Sequence, residues 1–190
     1  MPPKQKFSRQ EIVTAALSLT REKGISAVTA RDVGAVLGTS SKPVYTVFSS
    51  MAELKGAVYA AAAELFSAFS QEAIDRTDGL QYKALGVAYI DFARRERELF
   101  KLLFMSDRTE IPNAGEVDLA FYKAVSLVRL QTGIPDEAAR RLHTENWVFV
   151  HGIATMIATS SYQWTSEEIA QMTSDVYQAL IARMRKGESV

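Results

Sequence analysis

The chain has no cysteine among its 190 residues, which removes disulfide frameworks, thiolate metal sites and cysteine nucleophiles together. Histidine is nearly as scarce. His143 and His151 are the only two, and eight positions along a helix hold them about 12 Å apart, too far to share a metal ion. No acid pair, glycine-rich phosphate loop or metal-ligand spacing accompanies them, so the sequence argues against an enzyme and gives no metal or cofactor site. Nothing approaches the run of about 18 apolar residues that a membrane helix needs; the longest candidate, Ala57 to Phe69, is interrupted by Glu64. The opening MPPKQKFSRQ is basic with no apolar stretch behind it, so it lacks the pattern of a secretory signal. A soluble, cytoplasmic protein with no membrane partner is expected.

Net charge is also missing, with 22 basic residues against 22 acidic ones, but the balance conceals an uneven distribution. Residues 1 to 55 hold eight Lys/Arg and four Asp/Glu, an excess of +4, which leaves fourteen against eighteen, or −4, for residues 56 to 190. Such asymmetry fits a polyanion-facing end, and equally a chance excess on a solvated face. The apolar fraction of 47% and charged fraction of 23% are those of an ordinary globular chain. The length accommodates one sizeable domain or a small domain joined to a larger one.

What is present is helical spacing almost throughout, with few strand signals. From Ser8, an N-cap type, Ile12, Ala15, Ala16 and Leu19 recur at i, i+3, i+4 and i+7 until Gly24 stops the helix. Thr29 with Asp32 three positions on marks a second start, and a short helix with apolar Val33, Val36 and Leu37 ends at Gly38. Ser40 is the expected cap of a third short helix, which tolerates Pro43 because first-turn amides lack an intrahelical partner. Ser50-Met-Ala-Glu53 is a capping box opening a long alanine-rich helix to about Ala73. Further helices are expected from about Leu80 to Arg95, around Leu99 to Met105 before Ile111-Pro112, from about Gly115 to Gln131, from Asp136 to about Thr159, and from Ser166 to Lys186. Thr165 and Glu168 cap the last of these. The fold class is therefore all-α, with about nine helices. It divides into an N-terminal three-helix domain over residues 1 to 55 and a helical bundle over 56 to 190.

The two short helices joined by Leu37-Gly38-Thr39-Ser40 have the form of a helix-turn-helix, in which a tight turn lets the second helix stand clear and enter a major groove. A helical hairpin that only packs has the same pattern. At this point the sequence resembles the TetR family of repressors, whose DNA-binding segment reads approximately T-x-R-x-I-A-x-x-A-G-V-S-x-x-x-L-Y-x-x-F-x-x-K-x-x-L. At those places the chain has Thr29, Arg31, Val33, Gly34, Leu37, Gly38, Thr39, Ser40, Val44, Tyr45, Phe48 and Leu54. Gly34 stands where alanine is usual, at a helix cost of up to about 1 kcal/mol. Met51 stands where a lysine commonly meets phosphate, with Lys55 as the nearby substitute. The resemblance implies that Arg31 reads guanine through its bidentate fork. It implies that Thr29, Ser40, Ser41 and Tyr45 position phosphates, and that Lys42 and Thr46 touch bases or backbone. Lys4, Lys6 and Arg9 form a basic arm that would add nonspecific affinity.

Beyond residue 56 the chain resembles the C-terminal part of one TetR subgroup, through Phe92-Ala93, Glu98-Leu99-Phe100 and Trp147-x-x-x-His151-Gly152. This implies a homodimer built through the last two helices, with Gly152 and Ala154 permitting close approach. It also implies a small-molecule effector that alters binding to a palindromic double-stranded operator. Phe92, Phe100 and Phe104, with Phe121, Tyr122, Trp147 and Met156, are the candidates to line its apolar cavity, though aromatic residues at helical spacing are also plain core. His151, flanked by apolar residues, is the polar candidate. His143, among charged neighbours, is expected to be exposed. The alternative reading is a helical ligand-binding protein without specific DNA binding.

Overall fold

The computed structural model describes residues 7–107 and 116–185, and every regular element among them is helical. Nine α-helices follow in order among the described residues: α1 (Arg9–Lys23), α2 (Ala30–Val36), α3 (Lys42–Val47), α4 (Met51–Arg76), α5 (Gln81–Arg95), α6 (Arg97–Phe104), α7 (Glu116–Thr132), α8 (Asp136–Ala158) and α9 (Ser166–Arg185). A single 3-10 turn, Ile25–Ala27, follows α1. Lys4, Lys6, the Ile111-Pro112 stop, Gly115 and Lys186 lie outside the described residues.

Local chemistry sets most of the starts. Ser8 Oγ accepts from the Glu11 amide at 3.2 Å while Glu11 accepts from the Ser8 amide at 2.7 Å, satisfying two orphan donors of α1 at once. Thr165 and Glu168 do the same for α9, at 3.2 and 2.8 Å. At α4 only half of the box closes. Ser50 Oγ accepts from the Glu53 amide at 3.1 Å, but the Glu53 carboxylate takes the Ser49 amide at 2.8 Å and the Ser49 hydroxyl at 2.7 Å. The expected start of the third helix is one residue early. Ser41 occupies its cap position and makes no side-chain cap bond, while Ser40 Oγ accepts from the Lys42 amide at 3.4 Å. Pro43 follows in the first turn without an N–H, and the Val44 amide is already taken by the Ser41 carbonyl at 3.1 Å, so a hydroxyl there has no donor to accept from.

The chain forms two compact units, Met1–Leu65 with Glu96–Ala114 and Phe66–Arg95 with Gly115–Val190. These do not follow the single boundary after residue 55: α4 contributes residues to both units, and α6 groups with α1 to α3. In the first unit α1 packs against α2 and α6. Its buried residues include Ile12, Ala16, Val33, Val44, Phe48 and Leu99. Burial of each large side chain contributes roughly 1.5–3 kcal/mol. Arg21 holds Glu96 by two hydrogen bonds, at 2.9 and 2.5 Å, which fixes the end of α1 to the start of α6.

In the second unit α8 is central, meeting α5, α7 and α9. The core gathers Ile74, Val125, Val128, Leu142, Tyr177 and Ile181. His143 belongs to this interior, at 8% exposure, which corrects the expectation that it is exposed. Along a helix its neighbours are Ala139, Leu142, Asn146 and Val150, all buried, rather than the charged residues beside it in sequence. The Tyr82 hydroxyl lies 3.0 Å from His143 Nδ1 and accepts from Asn146 Nδ2 at 3.2 Å, so its own hydrogen is left to donate to a neutral imidazole. Burial pushes the His143 pKa down to about 4.

Candidate nucleic-acid interface and effector site

The segment from Thr29 to Phe48 has an inward and an outward side. Val33, Val44 and Phe48 are buried. The turn between α2 and α3 is closed by Gly38 in the left-handed region at φ 66 and by the Thr39 amide donating to the Gly34 carbonyl at 2.8 Å. This brings the backbone of Ser40 directly over Gly34, where a built Cβ would lie 2.6 Å from the Ser40 carbonyl oxygen. The glycine that departs from the family pattern is therefore the residue that this turn requires.

The outward side carries the polar and basic residues of the segment, beside exposed Val36. Arg31, Ser40, Lys42 and Thr46 are exposed, Tyr45 is 61% exposed despite its ring, and Ser41 is half-buried. Two of the hydroxyls already have work to do. Thr29 Oγ1 accepts from the Asp32 amide at 3.1 Å and donates to its carboxylate at 2.5 Å, capping α2. Thr46 Oγ1 donates to the Lys42 carbonyl at 3.0 Å, so in this rotamer it meets an outside partner only as an acceptor. Met51 and Lys55 are half-buried on the first two turns of α4.

Arg9, expected in a free arm, is instead built into the domain. Its guanidinium bonds Glu53 at 2.7 Å and lies 4.2 Å from the centre of the Phe48 ring. The hydrogen bond from Arg9, followed by those from Ser49, holds the Glu53 carboxyl down at about 2. One exposed network thus joins the start of α1, the end of α3 and the start of α4. Its two serine–glutamate spacings are visible in the sequence, but the partnership of Arg9 with Glu53 across 44 positions is not.

The seven aromatic and histidine candidates for an effector site fall into three groups. Phe100 and Phe104 belong to the first unit, with ring centres 5.0 Å apart, and Phe100 is fully buried. Phe121 and Tyr122 sit edge to face at 6.0 Å, with Phe121 4.7 Å from the His143 ring. Phe92, Trp147 and His151 belong to one aromatic run in the second unit. Trp147 stacks on His151 at 5.3 Å, the Tyr89 hydroxyl lies 2.8 Å from His151 Nδ1, and Phe66 meets both Tyr89 and Phe92 edge-on, at 5.8 and 5.1 Å. Burial lowers the His151 pKa and raises that of Tyr89. Sequence reasoning missed a cleft of about 500 Å³ along α4 and α5, lined by none of the seven. Only the pairing of two distant helix faces creates it, and no motif marks that pairing.

Residues 12–58 match the family described as bacterial regulatory proteins, tetR family, and residues 82–184 match the tetracyclin repressor-like C-terminal domain. No curated protein sequence matches the chain. Among solved structures, the fold is similar to a protein of unknown function from Rhodococcus sp. RHA1, at 19% identity and TM-score 0.72, over 97% of this chain and 99% of that one. It is also similar to the multidrug binding protein EbrR in complex with imidazole, at 19% identity and TM-score 0.62, over 92% and 95% of the two chains. SmeT, the repressor of the Stenotrophomonas maltophilia multidrug efflux pump SmeDEF, is similar at 18% identity and TM-score 0.53, over 94% and 90%.

Proposed function

Because the chain belongs to the TetR family of bacterial transcriptional regulators, we propose that it is a cytoplasmic repressor that binds a palindromic operator as a homodimer and is released by a small apolar or amphipathic molecule. Members of this family are regulators rather than enzymes. The observation that carries the DNA-binding reading is the outward side of the helix-turn-helix. Lys42, Tyr45 and Thr46 are exposed on a short helix whose Val44 is buried, with Arg31 exposed on the helix before it. In this reading Arg31 meets a guanine edge. Thr29, Ser40, Ser41 and Tyr45 set register on phosphates, Lys42 and Thr46 touch bases or backbone, and Lys55 supplies the cation that Met51 lacks. Residues 1–55 carry DNA binding and residues 56–190 carry effector binding and dimerisation.

An apolar stripe on α8 supports the dimer. Val148 at 61% exposure, Gly152 with open space above its Cα, and Met156 at 46% recur every four residues, so they share one face. On α9, Val176 is half-buried and Ala179 exposed. A two-fold pairing of such faces presents two recognition helices to half-sites about 34–36 Å apart, or one turn of B-DNA. An effector bound more tightly by a second arrangement of the domains, linked through the continuous α4, shifts the dimer away from that spacing.

The test is a footprint on the DNA upstream of the chain's own coding sequence. Protection of two inverted half-sites by nanomolar protein at physiological salt is expected. Uniform, salt-sensitive coverage without a protected repeat would leave a helical ligand-binding protein as the better reading.

A further inference from the structure

The cleft along α4 and α5 has an apolar floor and, near each end, a cation with no carboxylate partner among the described residues. Phe69, Ala73, Leu80, Ala84 and Val87 form the floor. Two carboxylates also line it, but each already has a partner: Glu72 pairs with Arg76 at 2.5 Å and Asp91 with Arg94 at 3.6 Å. Lys83 and Arg95 are exposed on its wall, and neither is paired with a carboxylate among the described residues. Arg95 is held over the Phe69 ring, 5.6 Å from its centre, which fixes its charge at the wall.

Twelve residues separate these cations on α5, a distance of about 18 Å along the axis. The lining reaches from Leu80 to Arg95 on the same helix, or about 22 Å. The cleft, of about 500 Å³, is thus an elongated groove that an extended chain can follow.

From this juxtaposition we propose that the cleft binds an elongated organic dianion: an unbranched apolar chain with a carboxylate at each end, one facing Lys83 and the other Arg95. The inference rests on the effector-binding part of the proposed function and names the chemistry of that ligand. An apolar body lowers the cost of exposing the floor to water, and the guanidinium fork of Arg95 suits a carboxylate.

The experiment is calorimetric titration of the full chain with dodecanedioate, dodecanoate and dodecyltrimethylammonium, followed by duplex binding with and without the best ligand. Dodecanedioate is expected to bind at least tenfold more tightly than either of the others. Lys83→Glu and Arg95→Glu should each weaken it tenfold or more, and the double variant should prefer the cation. Ala84→Trp should block all three. Because Ala84 is half-buried and that variant can fail to fold, the two exposed charge reversals carry the test independently. Equal binding of the dianion and the cation, or charge reversals that leave dodecanedioate binding unchanged, would overturn the proposal. So would an absence of binding by a chain that still binds its duplex, and in that case the DNA-binding reading stands while the cleft assignment falls. Tight, charge-dependent binding that leaves duplex affinity unmoved upholds the site and removes its role as the effector site.

Discussion

Replacing Gly34 by alanine sets two effects of opposite sign against each other, and the geometry decides between them. In an exposed helix interior the change stabilises, since alanine is favoured over glycine by up to about 1 kcal/mol. Here the new Cβ would lie 2.6 Å from the Ser40 carbonyl oxygen, 2.7 Å from its carbonyl carbon and 3.1 Å from the Ser41 nitrogen. All three are backbone atoms that no rotamer change can clear. Ordinary contact begins near 3.4 Å, so the turn must retreat by about 0.8 Å. Overpacking of this kind costs typically about 1–3 kcal/mol, which outweighs the propensity gain. The turn leads directly into α3, so the displacement passes to Lys42 and Tyr45, the proposed contacts to the duplex, and moves them out of register. Urea unfolding of Gly34→Ala should show a net loss on the order of 1–2 kcal/mol. Fluorescence anisotropy with a cognate duplex should show at least tenfold weaker binding. A variant that is more stable than the parent and binds the duplex equally well would refute the reasoning, because propensity alone would then govern the site.

Arg31→Ala should relax base preference at one position in each half-site at a cost of about 1–3 kcal/mol, read from a panel of half-site variants; an unchanged preference removes Arg31 from the reading role. If the proposed dimer forms through α8, Val148→Glu with Met156→Glu should convert it to monomer in sedimentation and weaken duplex binding, whereas an intact dimer moves the interface elsewhere. Burial holds the folded-state pKa of His143 at about 4, below the ordinary histidine value of about 6.5. The unfolded chain therefore takes up the proton first, and stability falls as pH drops from about 6.5 through 4, by up to about 3 kcal/mol. His143→Gln, which keeps an acceptor for Tyr82, should flatten that slope in urea unfolding at pH 4.5 to 7; a slope unchanged by the substitution assigns it to other groups.

Helix starts were legible where the cap is local. Ser8, Thr29, Ser50 and Thr165 each find their donor three residues on, so spacing alone carries the information. The third helix slipped by one residue because Pro43 removes a donor that the capping rule assumes. The environment of His143 follows the 3.6-residue period that sets it among buried Ala139, Leu142, Asn146 and Val150, not the charges near it in sequence. The spacing shows only the helix propensity of Gly34, because the approach of Ser40 exists only once the turn has folded. The α4–α5 cleft was invisible for a similar reason: Phe69 and Arg95 are ordinary residues until two helices bring them together across 26 positions.

The measurement that bears most directly on the helix-turn-helix is competitive binding to a duplex selected from a random pool, against a scrambled duplex of equal length, for the parent chain and for Arg31→Ala with Lys42→Ala. The parent should prefer the selected duplex by about 10³-fold or more at physiological salt, and the double variant should lose that preference while retaining its fold. Failure of any sequence to be enriched, or a preference that survives loss of both side chains, would contradict the assignment of the α2–α3 helix-turn-helix as the part that reads DNA.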